Sequence, residues 1–149
     1  MKIAIASDHR GYEPKRRLLP LLKKLGHDVE DFGSDSTAAV DYPDYAIPVA
    51  QGVADGRFEV GILLDGNGIG MSIASNKVDG VRAALAHDEI TARAAREHIH
   101  CNVLCLGTDL LGEEQVKMIV ETFLSAKFQD GRYVRRVAKI AEFEKQRSR

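Results

Sequence analysis

Apolar positions along this chain recur with two different periods. Short strand signals, four of them rich in apolar or β-branched residues, at Lys2 to Ala6, Phe58 to Leu64, Val81 to Ala86 and Asn102 to Leu106, and a more polar one at His27 to Asp31, predict roughly five strands. Between them lie longer stretches with apolar residues at helical spacing: Glu13 to Leu25, Tyr45 to Asp55, Gly70 to Lys77, Asp88 to His98 and Glu113 to Ala126. Leu18, Leu21, Leu22 and Leu25 show that spacing within one helix. Strands alternating with helices predict a parallel sheet, because parallel neighbours need crossover connections, and those connections cover both faces with helices. The expected fold is an α/β, doubly wound, three-layer sandwich around a roughly five-stranded parallel sheet.

Ligands of such folds bind beyond the carboxyl ends of the strands. Polar clusters follow the expected strands in the right places: Ser7-Asp8-His9, Asp65 to Gly70, His87-Asp88 and Gly107-Thr108-Asp109. The second is the most informative. Val60-Gly61-Ile62-Leu63-Leu64 has the continuous apolar character of a buried parallel strand, and it passes into Asp65-Gly66-Asn67-Gly68-Ile69-Gly70-Met71-Ser72. Closely spaced glycines leave backbone N–H groups uncovered, and the following helix adds the positive end of its dipole, so a carboxylate stands beside a loop suited to phosphates and enediolates. The spacing is neither the dinucleotide fingerprint nor a nucleotide P-loop. A strand-to-helix turn that merely allows close packing remains the competing reading of the loop alone.

The 149 residues are read as one domain, residues 1–149, long enough to bury a core. With 44% hydrophobic and 29% charged residues and a formal net charge of −1, the composition is that of an ordinary soluble globule with no general attraction for nucleic acid. Charges close to Met1 and the lack of a ~20-residue apolar run argue against a secretory signal or a membrane span, so a cytoplasmic location is expected. Cys101 and Cys105, the 2 cysteines, are too few for a disulfide framework. A zinc reading of His98, His100, Cys101 and Cys105 has unfavourable spacing, and no metal is expected. After Ala126 a basic tail, Arg132 to Arg149, continues as a helix, which is either a solvated face or a surface that buries Val137, Ile140 and Phe143 on a second subunit.

Ser7-Asp8-His9, Asp41-Tyr42-Pro43-Asp44-Tyr45-Ala46, Gly66-x-Gly68-Ile69-Gly70-x-x-Ile73-Ala74-x-Asn76-Lys77, Arg96-Glu97-His98 and Gly131-Arg132-x-x-Arg135-Arg136 occur in this order over nearly the whole chain. With these motifs the chain resembles ribose-5-phosphate isomerase of the B type, a family shared with galactose-6-phosphate isomerase subunits. The resemblance implies a cofactor-free, metal-independent aldose–ketose isomerisation of a small phosphorylated sugar, most simply ribose 5-phosphate to ribulose 5-phosphate through a cis-enediolate. The implied cleft lies between the subunits of a homodimer, with a dimer of dimers left open. His98 would assist ring opening. Asp8 and Tyr42 would hold sugar hydroxyls, Gly66, Asn67, Gly68 and Gly70 would form the oxyanion hole, and His9, Arg132 and Arg136 would hold the phosphate. Asn76 would bind substrate or support the catalytic loop. Each residue keeps a structural alternative: a turn for Asp8-His9, packing for Tyr42, a helix-end charge for His98 and a cap for Asn76.

The chain departs from the family at its base, which is a cysteine at the position of Asp65 in one branch and a glutamate at that of Met71 in the other. Asn67, Ile99 and Asp109 stand where Ser or Thr, Asn, and Arg are usual, and Arg10 stands where a small residue is common. Asp65 is then the candidate base, and Arg10 a candidate replacement for the missing arginine. Desolvation would raise the Asp65 pKa while the loop N–H groups and helix dipole would lower it, and sequence leaves the balance open. An isomerase of another four- to six-carbon phosphosugar and a non-catalytic sugar-phosphate-binding subunit are the alternatives.

Overall fold

The computed structural model describes residues 1–148; Arg149, the expected end of the tail helix, lies outside the described residues. Five parallel strands, β1 (Lys2–Ser7), β2 (Asp28–Asp31), β3 (Val60–Asp65), β4 (Ala83–Leu85) and β5 (Val103–Gly107), form one sheet in the order β2-β1-β3-β5-β4. The helices are α1 (Tyr12–Lys24), α2 (Pro43–Ala54), α3 (Ile69–Ser75), α4 (Glu89–Ile99), α5 (Glu113–Ser125) and α6 (Arg132–Arg147). The expected elements all form, with ends moved by local chemistry. Pro43, whose fixed φ suits a first helical position, starts α2 two residues before the expected Tyr45. Asp88 is the N-cap of α4 rather than its first residue, its carboxylate accepting from the Thr91 N–H at 2.6 Å.

Alternate residues of each central strand feed opposite faces. Ile3, Ile5, Ile62, Leu64, Leu104 and Leu106 pack with Leu18 and Leu22 of α1, Ala92 and Ala95 of α4, and Val116, Ile119, Val120 and Phe123 of α5. Ala4, Ala6, Leu63, Val103 and Cys105 pack with Ala46, Val49, Ala50 and Val53 of α2 and Met71 of α3. Small residues on β1 let α2 lie close to the sheet. Both cysteines are free and buried, and burial pushes the Cys101 thiol up to about 11 and that of Cys105 further.

The chain leaves β1 for β2 on one side and returns to β3 on the other, which puts the topological switch between the carboxyl ends of β1 and β3. Those ends carry Ser7-Asp8 and Asp65. At the sheet's far side the three-residue β4 is the edge. Its amino end is held by two asparagines: Asn76 bonds both the N–H and the C=O of Ala83, and Asn102 bonds the Arg82 N–H and the Gly80 C=O.

None of the described side chains of α6 is buried. It is tied to its own chain at the Asp79–Gly80 turn, through Arg147 and Ser148 to the Asp79 carboxylate and through Glu144 to the Gly80 N–H. Val134, Ile140 and Phe143 stay exposed along it.

Candidate active site

Asp65 ends β3, two residues after Leu63 and on the same face, so the strand's alternation aims its carboxylate toward α3. The side chain is buried, only 4% exposed. Its Oδ1 accepts the Gly68 N–H at 2.5 Å. Gly68 takes φ 78° and lies against Leu85 and the backbone of Gly107, so both its conformation and its lack of a side chain are required. Asn67, the exposed tip of the loop, accepts the Ile69 N–H on its Oδ1 at 3.0 Å and starts α3. The Tyr42 ring lies over Gly70.

Burial dominates the titration of Asp65 and raises its pKa above the ordinary carboxylate value. The Gly68 N–H pulls the other way, the Asp8 carboxylate adds to the rise, the Met71 backbone opposes it and Asp109 adds to it. Desolvation therefore outweighs the loop N–H groups, which makes Asp65 a stronger base than a solvated aspartate.

Asp8 serves two ends at once. One carboxylate oxygen accepts the Arg10 and Gly11 N–H groups at 2.9 and 3.1 Å and shapes the turn into α1, while the other makes no hydrogen bond among the described residues. His9 receives the Val40 N–H on Nδ1 at 3.2 Å, which leaves Nε2 as the donor nitrogen, without a partner among the described residues. Thr108 links the loops after β3 and β5, its N–H and hydroxyl both donating to the Asp65 C=O, at 2.8 and 3.1 Å. Above Gly66, Arg10 Nε donates to Asp109 Oδ2 at 2.6 Å.

The structure thus brings together Asp8, His9, Tyr42, Asp65, Gly66, Asn67, Gly68 and Gly70. It does not bring His98, Arg132 or Arg136 to them. Helix α4 starts at the carboxyl edge of the sheet and runs back beside it for 11 residues, about 16 Å, so His98 lies near the amino end of β5. There its ring stacks on that of Tyr133, centroids 4.4 Å apart and planes 6° from parallel. The Arg132 guanidinium lies 5.0 Å from the Tyr133 ring centroid and donates to its hydroxyl at 3.0 Å. Gln129 bonds Glu97 through both backbone and side chain, which delivers the start of α6 to the end of α4. One chain therefore carries two separated groups of candidates.

Asn76 is set apart from both. It caps α3 at the amino edge of the sheet, with its amide engaged by Ser72 C=O at 3.0 Å and by the N–H and C=O of Ala83, each at 2.9 Å. Its expected place among substrate-binding residues gives way to a structural one, because both donors and its acceptor are used in joining α3 to β4.

Lys15 was not among the candidates. It is 1% exposed, and its Nζ donates to Asp31 Oδ1 at 2.7 Å and to the Ser34 C=O at 2.5 Å, fixing the start of the loop that carries Val40 and Tyr42. The sequence signal was there: Lys15, Leu18 and Leu22 share one helical face. Among the described residues no three His, Cys, Asp or Glu side chains gather as a metal site, so His98, His100, Cys101 and Cys105 do not converge.

A doubly wound sheet with a buried carboxylate, an open glycine loop and a free imidazole donor at its switch point defines an enzyme-like site for a small anionic substrate. The chain belongs to the ribose/galactose isomerase family, whose pattern matches residues 3–140. It is 40% identical over 147 residues to ribose-5-phosphate isomerase B of Escherichia coli, covering 99% of each chain. The structure of Clostridium thermocellum ribose-5-phosphate isomerase B superposes with a TM-score of 0.96 at 47% identity, over 99% of each chain. That of the Mycoplasma genitalium enzyme with bound ribulose 5-phosphate superposes with a TM-score of 0.94 at 42% identity, over 97% of each.

Proposed function

We propose that this chain is a single-domain aldose–ketose isomerase that interconverts ribose 5-phosphate and ribulose 5-phosphate in a cleft completed by a second copy of itself. The observation that carries the reading is the buried Asp65 carboxylate against the glycine loop, in a chain matched over its full length by ribose-5-phosphate isomerases of the B type. His98 moves a proton to the ring oxygen as the C1 hydroxyl loses one, which opens the sugar. Asp65 then takes the proton from C2, and the electron pair of that C–H bond forms the C1–C2 double bond while negative charge passes to O1. The Gly68 and Ile69 N–H groups are already given to Asp65 and Asn67, so the remaining N–H groups of the loop from Gly66 to Gly70 stabilise that charge. Protonation of C1 by Asp65, with transfer of the O2 proton to O1, yields the ketose.

Asp8 and Tyr42 hold the sugar hydroxyls, and His9 Nε2 donates to the phosphate. His98, Arg132 and Arg136 come from the partner. That division is supported by the α4 length that separates them from Asp65 and by the uncovered apolar side chains of α6. A cytoplasmic location goes with this reading; among the described residues no helix is long and apolar enough to cross a membrane.

A second reading, isomerisation of a different four- to six-carbon phosphosugar, is favoured by the Arg10–Asp109 pair over Gly66, which changes the shape and charge of the mouth. The test is a panel of phosphorylated aldoses and ketoses assayed for conversion and for exchange of the C2 proton with solvent deuterium. Ribose 5-phosphate should give the highest kcat/KM. Preference for another sugar selects the second reading, and absence of both conversion and exchange with every sugar would leave a binding subunit.

A further inference from the structure

The five loops that follow the strands, residues 8–11, 32–42, 66–68, 86–88 and 108–112, contain a single arginine or lysine, Arg10. Carboxylates are far more frequent there: Asp8, Asp35, Asp41, Asp88 and Asp109, with Asp31 and Asp65 at the strand ends. An anionic substrate approaching this edge meets a predominantly negative surface, and a neutral His9 contributes a donor but no charge.

Arg10 is held in a particular way. Nε donates to Asp109 Oδ2 at 2.6 Å, whereas the two terminal nitrogens make no hydrogen bond among the described residues. Four N–H groups of the planar fork thus remain unused. The side chain is 57% exposed. The pair rests directly on the glycine loop: a Cβ at position 66 would lie 2.9 Å from Asp109 Oδ2 and 3.2 Å from Arg10 Nε. The loop after β1 is joined to that after β5 at the same point, since the Thr108 hydroxyl reaches the Arg10 C=O at 3.5 Å as well as the Asp65 C=O. Asp109 therefore engages Nε alone and orients the rest of the guanidinium beside Gly66.

We propose that Arg10 is the phosphate-binding cation of this half of the cleft, gripping two phosphate oxygens through its terminal nitrogens while Asp109 positions it. The inference rests on the sugar-phosphate reading of the site. It assigns to the turn after β1 both the hydroxyl-binding group, Asp8, and the anion-binding groups, His9 and Arg10, so substrate length is measured from one rigid turn. Charge-assisted, fork-like contacts are the strong ones, and a lysine at this position would supply the charge without the fork.

The test uses inorganic phosphate as the probe, its affinity measured by calorimetry and as competitive inhibition of isomerisation. In Arg10→Met, phosphate affinity should fall about tenfold or more and the KM for the phosphosugar should rise by a similar factor, with kcat within about twofold. Asp109→Asn, which leaves the cation but loosens its hold, should raise KM less than Arg10→Met does. Should Arg10→Met not fold, Arg10→Gln decides on the same criterion, since it keeps polarity and most of the length without the charge. Phosphate affinity and KM unchanged in these variants overturn the proposal, as does a wild-type protein that binds no phosphate. A wild type that binds phosphate through Arg10 yet isomerises no phosphosugar would instead sink the functional reading and leave Arg10 as an anion site.

Discussion

Gly68 gives its N–H to the carboxylate of Asp65 across 2.5 Å, so the loop that would receive the enediolate is also what aims the base. The same contact lowers the Asp65 pKa and burial raises it, and burial prevails. Asp65→Asn keeps the shape and the acceptor for Gly68 while removing the basicity. Turnover should fall about a hundredfold or more, with loss of C2-proton exchange in deuterated buffer. Exchange at the wild-type rate in that variant would remove Asp65 from proton transfer. Asp65→Cys should retain part of the activity with a more alkaline optimum, because a free thiol titrates near ~8.5.

The raised pKa of Asp65 also has a sign in stability. The folded state holds this proton more tightly than the unfolded chain, so stability is highest below the ordinary carboxylate pKa and is lost as pH rises through the folded value. Asp65→Asn removes that loss. Its melting temperature should exceed that of the wild type at pH 8, and the gap should narrow at pH 4. A constant gap across this range would mean that Asp65 titrates at the same pH in both states.

His98 stacks on Tyr133 far from the carboxyl edge, a placement that suits a group handed to a neighbouring cleft. His98→Asn should slow conversion of a cyclic aldose about tenfold more than conversion of a ketose that cannot close its ring. Equal losses of kcat for both substrates would assign the histidine to structure alone. Tyr133→Leu, which removes the stacked partner but not the imidazole, should show the same asymmetry in weaker form.

Arg132 and Arg136 are one helical turn apart on α6, and losing either phosphate contact should cost about 1.5–3 kcal/mol of binding. Mixing inactive Asp65→Asn with weakened Arg136→Ala subunits, and allowing exchange, should create some heterodimers with one intact cleft. Recovered activity above that of either parent is the expected result. No recovery despite subunit exchange, followed by mass spectrometry, would mean that Arg136 serves its own chain.

Lys15 closes the structural predictions. Lys15→Met keeps the apolar packing on α1 but leaves the Ser34 C=O without its donor and Asp31 without its cation. A cost of about 2–4 kcal/mol is expected from chemical denaturation, at the lower end because Asp31 is 38% exposed. The loop carrying Val40 and Tyr42 should loosen with it, seen as faster amide exchange over residues 33–42. Unchanged stability and exchange would show that water replaces Nζ at no cost.

Much of this protein is decided locally, and that part is legible in the amino-acid order. The period of two or 3.6 in apolar positions predicts most of the strands and helices, Pro43 sets a helix start through its fixed φ and Asp88 through its capping carboxylate, and Asp65 precedes glycines whose conformational freedom shapes the loop. The polar clusters could be assigned to the carboxyl edge because every strand runs the same way. What depends on residues far apart in the chain was decided only by tertiary structure. The insertion of β5 between β3 and β4 follows from which strand buries most, and it leaves the three-residue β4 at the edge. The distance between His98 and Asp65 follows from the direction in which α4 recrosses the sheet. Asn76 reaches β4, and Arg10 finds Asp109 across 99 positions of sequence, only because separate loops meet at one edge. The sign of the Asp65 pKa shift belongs to this second group, since burial is a property of all the atoms packed around a carboxylate and of none of its neighbours in sequence alone.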